Sequence, residues 1–145
     1  MSLDDLYREV ILDHYQHPRN RGRLESPDIA TRGHNPLCGD EVELSLNFDG
    51  ETVSDAAFGG RGCSISQASA SMMTESIKGH SMDDAKRLAA AFLAVMTANA
   101  SPDTLADAEE LQSLQGVKRF PVRVKCALLP WTALTEAMEM YRKRQ

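Results

Sequence analysis

A chain of 145 residues, 42% apolar and 26% charged, has the length and balance of one domain with its own core. Its net charge of -5 argues against nucleic acid as a partner, because phosphate binding wants a basic face, and no apolar run approaches the length of a membrane span. The acidic opening Met1-Ser2-Leu3-Asp4-Asp5 lacks the basic-then-apolar pattern of a secretory leader, so the expectation is a cytoplasmic protein of one domain, 1–145.

Leu3, Leu6, Tyr7, Val10 and Ile11 fall at helical spacing behind Ser2, which predicts an N-capped amphipathic helix over 3–16. His17-Pro18-Arg19-Asn20-Arg21-Gly22 ends it and begins a basic loop. Val42, Leu44, Leu46 and Phe48 alternate with Glu43, Ser45 and Asn47, the pattern of a half-buried strand over 42–48. Asp49-Gly50 predicts a hairpin turn, so residues 52–58 return as a second strand; residues 31–34 suit a third. Gly59-Gly60-Arg61-Gly62 is expected to break the strand before Cys63.

Beyond Cys63 a helix is predicted to about Lys78, with Ala68, Ser69, Ala70 and Ser71 along one side and Gly79 after its end. Ser81 with Asp84 starts another over 82–97, apolar through Leu88, Phe92, Val95 and Met96. Ser101-Pro102 opens a shorter acidic helix over 104–114, closed by Gly116. The last helix is expected over 122–143. Pro130 within it has no N–H for the carbonyl of Cys126, so either a kink falls beside Cys126 or the regular helix begins near Pro130.

Cys38, Cys63 and Cys126 are the only cysteines, and an odd number cannot pair completely within the chain. In a reducing compartment such a set points to metal binding or catalysis rather than to disulfides. Core cysteines sit among apolar neighbours, whereas these three sit among glycines and charges: Cys38-Gly39-Asp40, Cys63 after Gly59-Gly60-Arg61-Gly62, and Cys126 after Arg123-Val124-Lys125. Three thiolates and the Asp40 carboxylate make a four-coordinate set for zinc or an iron-sulfur centre. Cys38 and Asp40 are two apart and need the backbone freedom of Gly39 to converge. Cys63 opens a helix, whose partial positive charge favours a thiolate. The glycine cluster is not a phosphate loop, since no Gly-Lys-Ser/Thr follows. His14, His17, His34 and His80 lack the spacing of a zinc motif and read as structural or surface residues.

On these residues the chain resembles the U-type iron-sulfur assembly proteins, the superfamily of IscU, SufU and the NifU N-terminal domain. The resemblance rests on Asn35-Pro36-x-Cys38-Gly39-Asp40, on Gly60-x-Gly62-Cys63-x-Ile65-Ser66 followed by Ala68-Ser69, and on Lys125-Cys126-Ala127. It runs from residues 6–15 to Leu129-Pro130-Trp131. It implies an α+β fold, a small three-stranded antiparallel sheet packed against about five helices.

Two branches divide at named positions. IscU-type scaffolds carry histidine before the third cysteine, where this chain has Lys125. SufU-type proteins carry lysine there and a longer segment between the second and third cysteines, where the helix at 102–115 is placed. The SufU resemblance implies Zn2+ on Cys38, Asp40, Cys63 and Cys126. It implies Cys38 as acceptor of persulfide sulfur from a SufS-type, pyridoxal-phosphate-dependent cysteine desulfurase, a histidine of which takes the place of Cys38 on the metal. Arg123 would orient that partner or stabilise charge during transfer, and the sulfur would pass to a downstream cluster-assembly scaffold. Lys125 suits charge balance as well as a solvated helix edge. The alternative is an IscU-like scaffold on which an iron-sulfur cluster is built. A purely structural zinc domain would want closely spaced Cys/His pairs, which are absent from this sequence.

Overall fold

The alternation in residues 42–48 is realised in a three-stranded antiparallel sheet of order β1-β2-β3. The strands are β1 (Ile29–Asn35), β2 (Asp40–Asp49) and β3 (Thr52–Arg61). The structure is a computed structural model that describes residues 2–36 and 39–144. Val42, Leu44 and Leu46 are buried on one face of β2, as the two-residue period requires. Asp49-Gly50 forms the expected β2–β3 turn, with Gly50 at φ 62°.

Five helical elements accompany the sheet among the described residues, α2 and α4 packing on it and the others on them: α1 (Leu3–Gln16), α2 (Ser64–Ile77), α3 (Met82–Thr97), a 3-10 segment (Pro102–Val117) and α4 (Pro121–Arg144). The fold is therefore α+β, as expected. Ser2 and Asp5 close a reciprocal capping box on α1: the Asp5 amide donates to Ser2 Oγ and the Ser2 amide to the Asp5 carboxylate. The Asp84 amide donates to Ser81 Oγ at the start of α3.

α2 is the central helix, with every residue from Ile65 to Thr74 buried. The sequence suggested small residues on one side only; the helix is instead surrounded by β3, α1, α4 and the 3-10 segment. Its core hydroxyls are satisfied locally or across elements. Ser66 Oγ donates to the Cys63 carbonyl, Ser69 Oγ to the Ala127 carbonyl at 2.6 Å, and Trp131 Nε1 donates to Ser69 Oγ at 3.1 Å. The last two bonds lock α4 onto α2.

Three sequence expectations change. The glycine cluster does not break β3, which runs on through Gly59, Gly60 and Arg61 in register with Glu43, Val42 and Glu41. Gly60 sits at φ 101°, and a Cβ there would strike the Glu41 carbonyl, so glycine here extends pairing instead of ending it. The acidic helix at 104–114 is a 3-10 segment, non-helical at Leu105 and Ala108. Beyond that break Leu111, Leu114 and Val117 recur every third position, which puts them on one face when the turn has three residues. Finally, α4 runs unbroken through Pro130, so the regular helix does not begin there, and Cys126 lies inside it.

The basic loop after α1 is pinned beside β3. Phe58 donates to the Asn20 carbonyl at 3.0 Å and Gly22 to the Phe58 carbonyl at 2.8 Å, a short parallel bridge. No helix among the described residues is long and apolar enough to cross a membrane.

Candidate metal centre

Asp40, Cys63 and Cys126 come from three elements and meet at one end of α2. Asp40 opens β2 and is buried; Cys63 is the N-cap of α2 and half-buried; Cys126 lies in the second turn of α4 and is fully buried. One carboxylate oxygen and the two Sγ atoms all lie within 4.8 Å of one another. Cys38, the fourth expected member of the set, lies outside the described residues.

Local chemistry holds this arrangement. The Cys63 amide donates to Asp40 Oδ1 at 2.9 Å, which satisfies one free N–H at the start of α2 and fixes the carboxylate. Asp40 Oδ2 then lies 3.7 Å from Cys63 Sγ. Cys63 Sγ also touches Ser66 Oγ at 4.0 Å, and the Cys126 thiol points back at the Val122 carbonyl at 3.5 Å. Gly62 makes the approach feasible: a Cβ there would lie 2.7 Å from Asp40 Oδ1 and would also strike Ser66 Oγ.

The donor set fits a borderline-soft ion. In a tetrahedral zinc site with bonds of about 2.3 Å to sulfur and about 2.1 Å to oxygen, the S···O edge is about 3.6 Å. The 3.7 Å between Cys63 Sγ and Asp40 Oδ2 matches that edge. Two thiols with a carboxylate equally suit the iron of a cluster.

Arg123 is exposed in the first turn of α4, three residues before Cys126, and Lys125 is exposed beside it. Among the described residues neither forms an ion pair, whereas nine ion pairs of Arg or Lys occur elsewhere. Of the histidines, His17, His34 and His80 are exposed. His14 is fully buried and forms a group that sequence reasoning missed. Its Nε2 donates to Glu110 Oε2 at 2.8 Å, and its Nδ1 meets Ser71 Oγ at 2.8 Å. Ser71 Oγ also accepts the Arg19 amide. Glu75 lies within reach of the same ring and of Arg19. Three elements supply these residues, so no local spacing announces them. With both ring nitrogens engaged, His14 ties α1 to α2 and to the 3-10 segment.

Comparison with known proteins agrees with this picture. Residues 6–145 match the family model described as the NifU-like N terminal domain. The chain is 46% identical over 137 residues to the zinc-dependent sulfurtransferase SufU of Bacillus subtilis (strain 168), covering 94% of this chain and 92% of that one. It is 39% identical over 138 residues to the iron-sulfur cluster assembly scaffold protein IscU of Streptococcus pyogenes serotype M1, covering 95% and 86% respectively. The fold matches, with a TM-score of 0.83, the crystal structure of a protein from Fervidobacterium islandicum AW-1 described as an iron-sulfur cluster assembly scaffold for the SUF system; identity is 34%, over 94% of this chain and 99% of that one.

Proposed function

This chain belongs to the NifU-like N-terminal domain family of iron-sulfur cluster assembly, and from that premise we propose that it is a zinc-dependent sulfur acceptor. It takes persulfide sulfur from a SufS-type, pyridoxal-phosphate-dependent cysteine desulfurase and relays it to a downstream cluster-assembly scaffold. The observation that carries this reading is the convergence of Asp40, Cys63 and Cys126 within 4.8 Å at the N-terminus of α2. Lys125 in place of histidine before Cys126 and the added 3-10 segment favour the sulfur-accepting branch over the scaffold branch, as does the higher identity to SufU.

Asp40, Cys63 and Cys126, with Cys38, would hold the metal. Zinc, when bound, keeps its cysteine ligands as thiolates at neutral pH. The rest belongs to the chain. Asp40 orients the Cys63 backbone through its 2.9 Å bond, and Gly62 leaves room for that contact. Cys126 is anchored in α4, which Ser69 and Trp131 clamp to α2. Cys38 is the nucleophile: its thiolate attacks the outer sulfur of the desulfurase persulfide, a new S–S bond forms on Cys38, the donor S–S bond breaks, and the donor cysteine leaves as thiolate. The transfer is redox-neutral. Arg123, exposed beside the centre, offsets the negative charge shared by the two sulfurs and the leaving thiolate.

The test is intact-mass detection of persulfide on the protein, zinc-loaded and zinc-stripped, after incubation with a SufS-type desulfurase and cysteine. Sulfur on the zinc form alone is the expected outcome. A second reading, an IscU-like scaffold carrying a cluster as cargo, is favoured by the description of the Fervidobacterium structure and by the same donor set. Better sulfur acceptance by the stripped form, with a cluster formed on adding iron, would select it.

A further inference from the structure

Beside the metal centre, an open cavity of about 450 Å3 is lined by Tyr15, Arg21, Arg61, Gly62 and Gln67 among others, and none of its lining residues is acidic. We propose that this cavity is a carboxylate subsite that receives an Asp or Glu side chain of the protein docking over the metal centre. The proposal rests on the sulfur-acceptor reading and names the chemistry by which the donor protein is recognised.

Three observations carry it. First, Arg21 and Arg61 have no carboxylate partner among the described residues, in a chain of net charge -5. Six of the eleven arginines have one, and of the five that do not, Arg21 and Arg61 line the same cavity. Two guanidiniums without a carboxylate partner at one cavity make an anion-binding pair.

Second, the cavity already contains an unmet donor. Gln67 is 6% exposed, and its Nε2 is buried with no hydrogen-bond partner. Its Oε1 is already taken, accepting from Arg21 Nη1 at 2.5 Å. The missing group is thus an acceptor, and a carboxylate oxygen supplies one.

Third, Arg21 is pre-positioned. Nη2 donates to the Gly60 carbonyl at 2.9 Å, the guanidinium lies 5.6 Å from the centre of the Phe58 ring, and the Arg21 backbone is bridged to Phe58. A guanidinium held in this way loses little entropy on binding, and its remaining N–H groups stay available. Gly62 joins the cavity wall directly to Cys63. A side chain seated here belongs to a partner whose reacting sulfur is at the metal centre. Tyr15, 46% exposed, and Pro18 offer apolar contact for the methylenes of an acidic side chain and its neighbours, which a bare inorganic ion would not use.

The test is the affinity of zinc-loaded protein for a SufS-type desulfurase as a function of salt, with Arg61→Glu and Arg61→Lys beside wild type. Arg61 is exposed and forms no side-chain bond among the described residues, so both variants fold; circular dichroism and zinc content check this. The expected result is docking weakened about tenfold in Arg61→Glu, with a shallower salt dependence, and largely retained in Arg61→Lys. In wild type the Gln67 side-chain amide resonances move when the desulfurase is added. Arg61→Glu docking within twofold of wild type overturns the subsite. If in addition free acetate at constant ionic strength moves the Gln67 amide, the cavity binds small carboxylates instead. Failure of wild type to dock at all overturns the functional reading, and this subsite with it.

Discussion

Asp40 and Cys63, 23 positions apart, share a hydrogen bond of 2.9 Å from the cysteine amide to the aspartate carboxylate. The same carboxylate therefore has two tasks: Oδ1 caps the start of α2, and Oδ2 faces the Cys63 sulfur. The tasks separate by substitution. Asp40→Ala leaves the Cys63 N–H without its acceptor and costs about 1–3 kcal/mol, as well as weakening metal binding. Asp40→Asn keeps an acceptor oxygen at the cap but is a poor ligand, so its metal-free melting temperature stays near wild type while zinc affinity falls. Equal zinc affinity in all three proteins, by chelator competition, would remove Asp40 from the ligand set.

Gly62→Ala places a methyl group 2.7 Å from Asp40 Oδ1. The loop must shift, so zinc affinity and thermal stability both drop. Gly59→Ala is the control, because its new Cβ would meet nothing closer than 3.6 Å. Similar behaviour of the two variants would show that the approach at Gly62 is unimportant.

Cys38→Ala should abolish sulfur acceptance with the far-ultraviolet spectrum unchanged. Arg123→Ala should slow transfer several-fold while zinc content holds, since its side chain has no ion pair to lose among the described residues. Intact mass after desulfurase treatment reads both, and persulfide on the Cys38→Ala protein would move the acceptor role to another cysteine.

His14→Ala removes a fully buried ring and strands Ser71 and Glu110. A loss of about 3 kcal/mol in denaturant unfolding is expected. Zinc stoichiometry of the folded variant stays at the wild-type value, because His14 acts by tying helices together. A drop in stoichiometry would mean that the His14, Glu75 and Glu110 group takes metal.

Arg19 hydrogen-bonds the Asp13 carboxylate at 2.7 Å and holds its pKa below the usual carboxylate value. The folded-state pKa is depressed, so this pair stabilises above the unfolded carboxylate pKa of about 3.9 and its contribution is lost as pH falls through the folded value. Carboxyl carbon NMR should show Asp13 titrating below the usual carboxylate value, and Arg19→Gln should bring it back toward that value.

Much of the fold was legible in the sequence because the signals were local. Ser2 as an N-cap, the 42–48 alternation and Asp49-Gly50 each specify their element from within a few residues, and α1 and α3 have the bounds expected. Asp40, Cys63 and Cys126 were singled out because cysteines amid glycine and charge have little other use, and the structure brings these three together, while Cys38 lies outside the described residues. Three features were not legible. The reach of β3 past Gly59 depends on close backbone approach to β2, a tertiary fact. The His14 group and the Arg21–Gln67 pair join residues 46 to 96 positions apart. The 3-10 segment was misread because a three-residue apolar period over this length resembles a helical face.

That period of three has a consequence for how the chain can change. In α2 or α4, inserting one residue rotates everything beyond it by about 100°, and three residues leave a mismatch of about 60°. In the 3-10 turns that carry Leu111, Leu114 and Val117, three extra residues restore the rotational register of the face and add about 6 Å of length. Changes of length are therefore expected here in steps of three, with the added length taken up at the non-helical break around Leu105 and Ala108 and not passed on to α4 and Cys126.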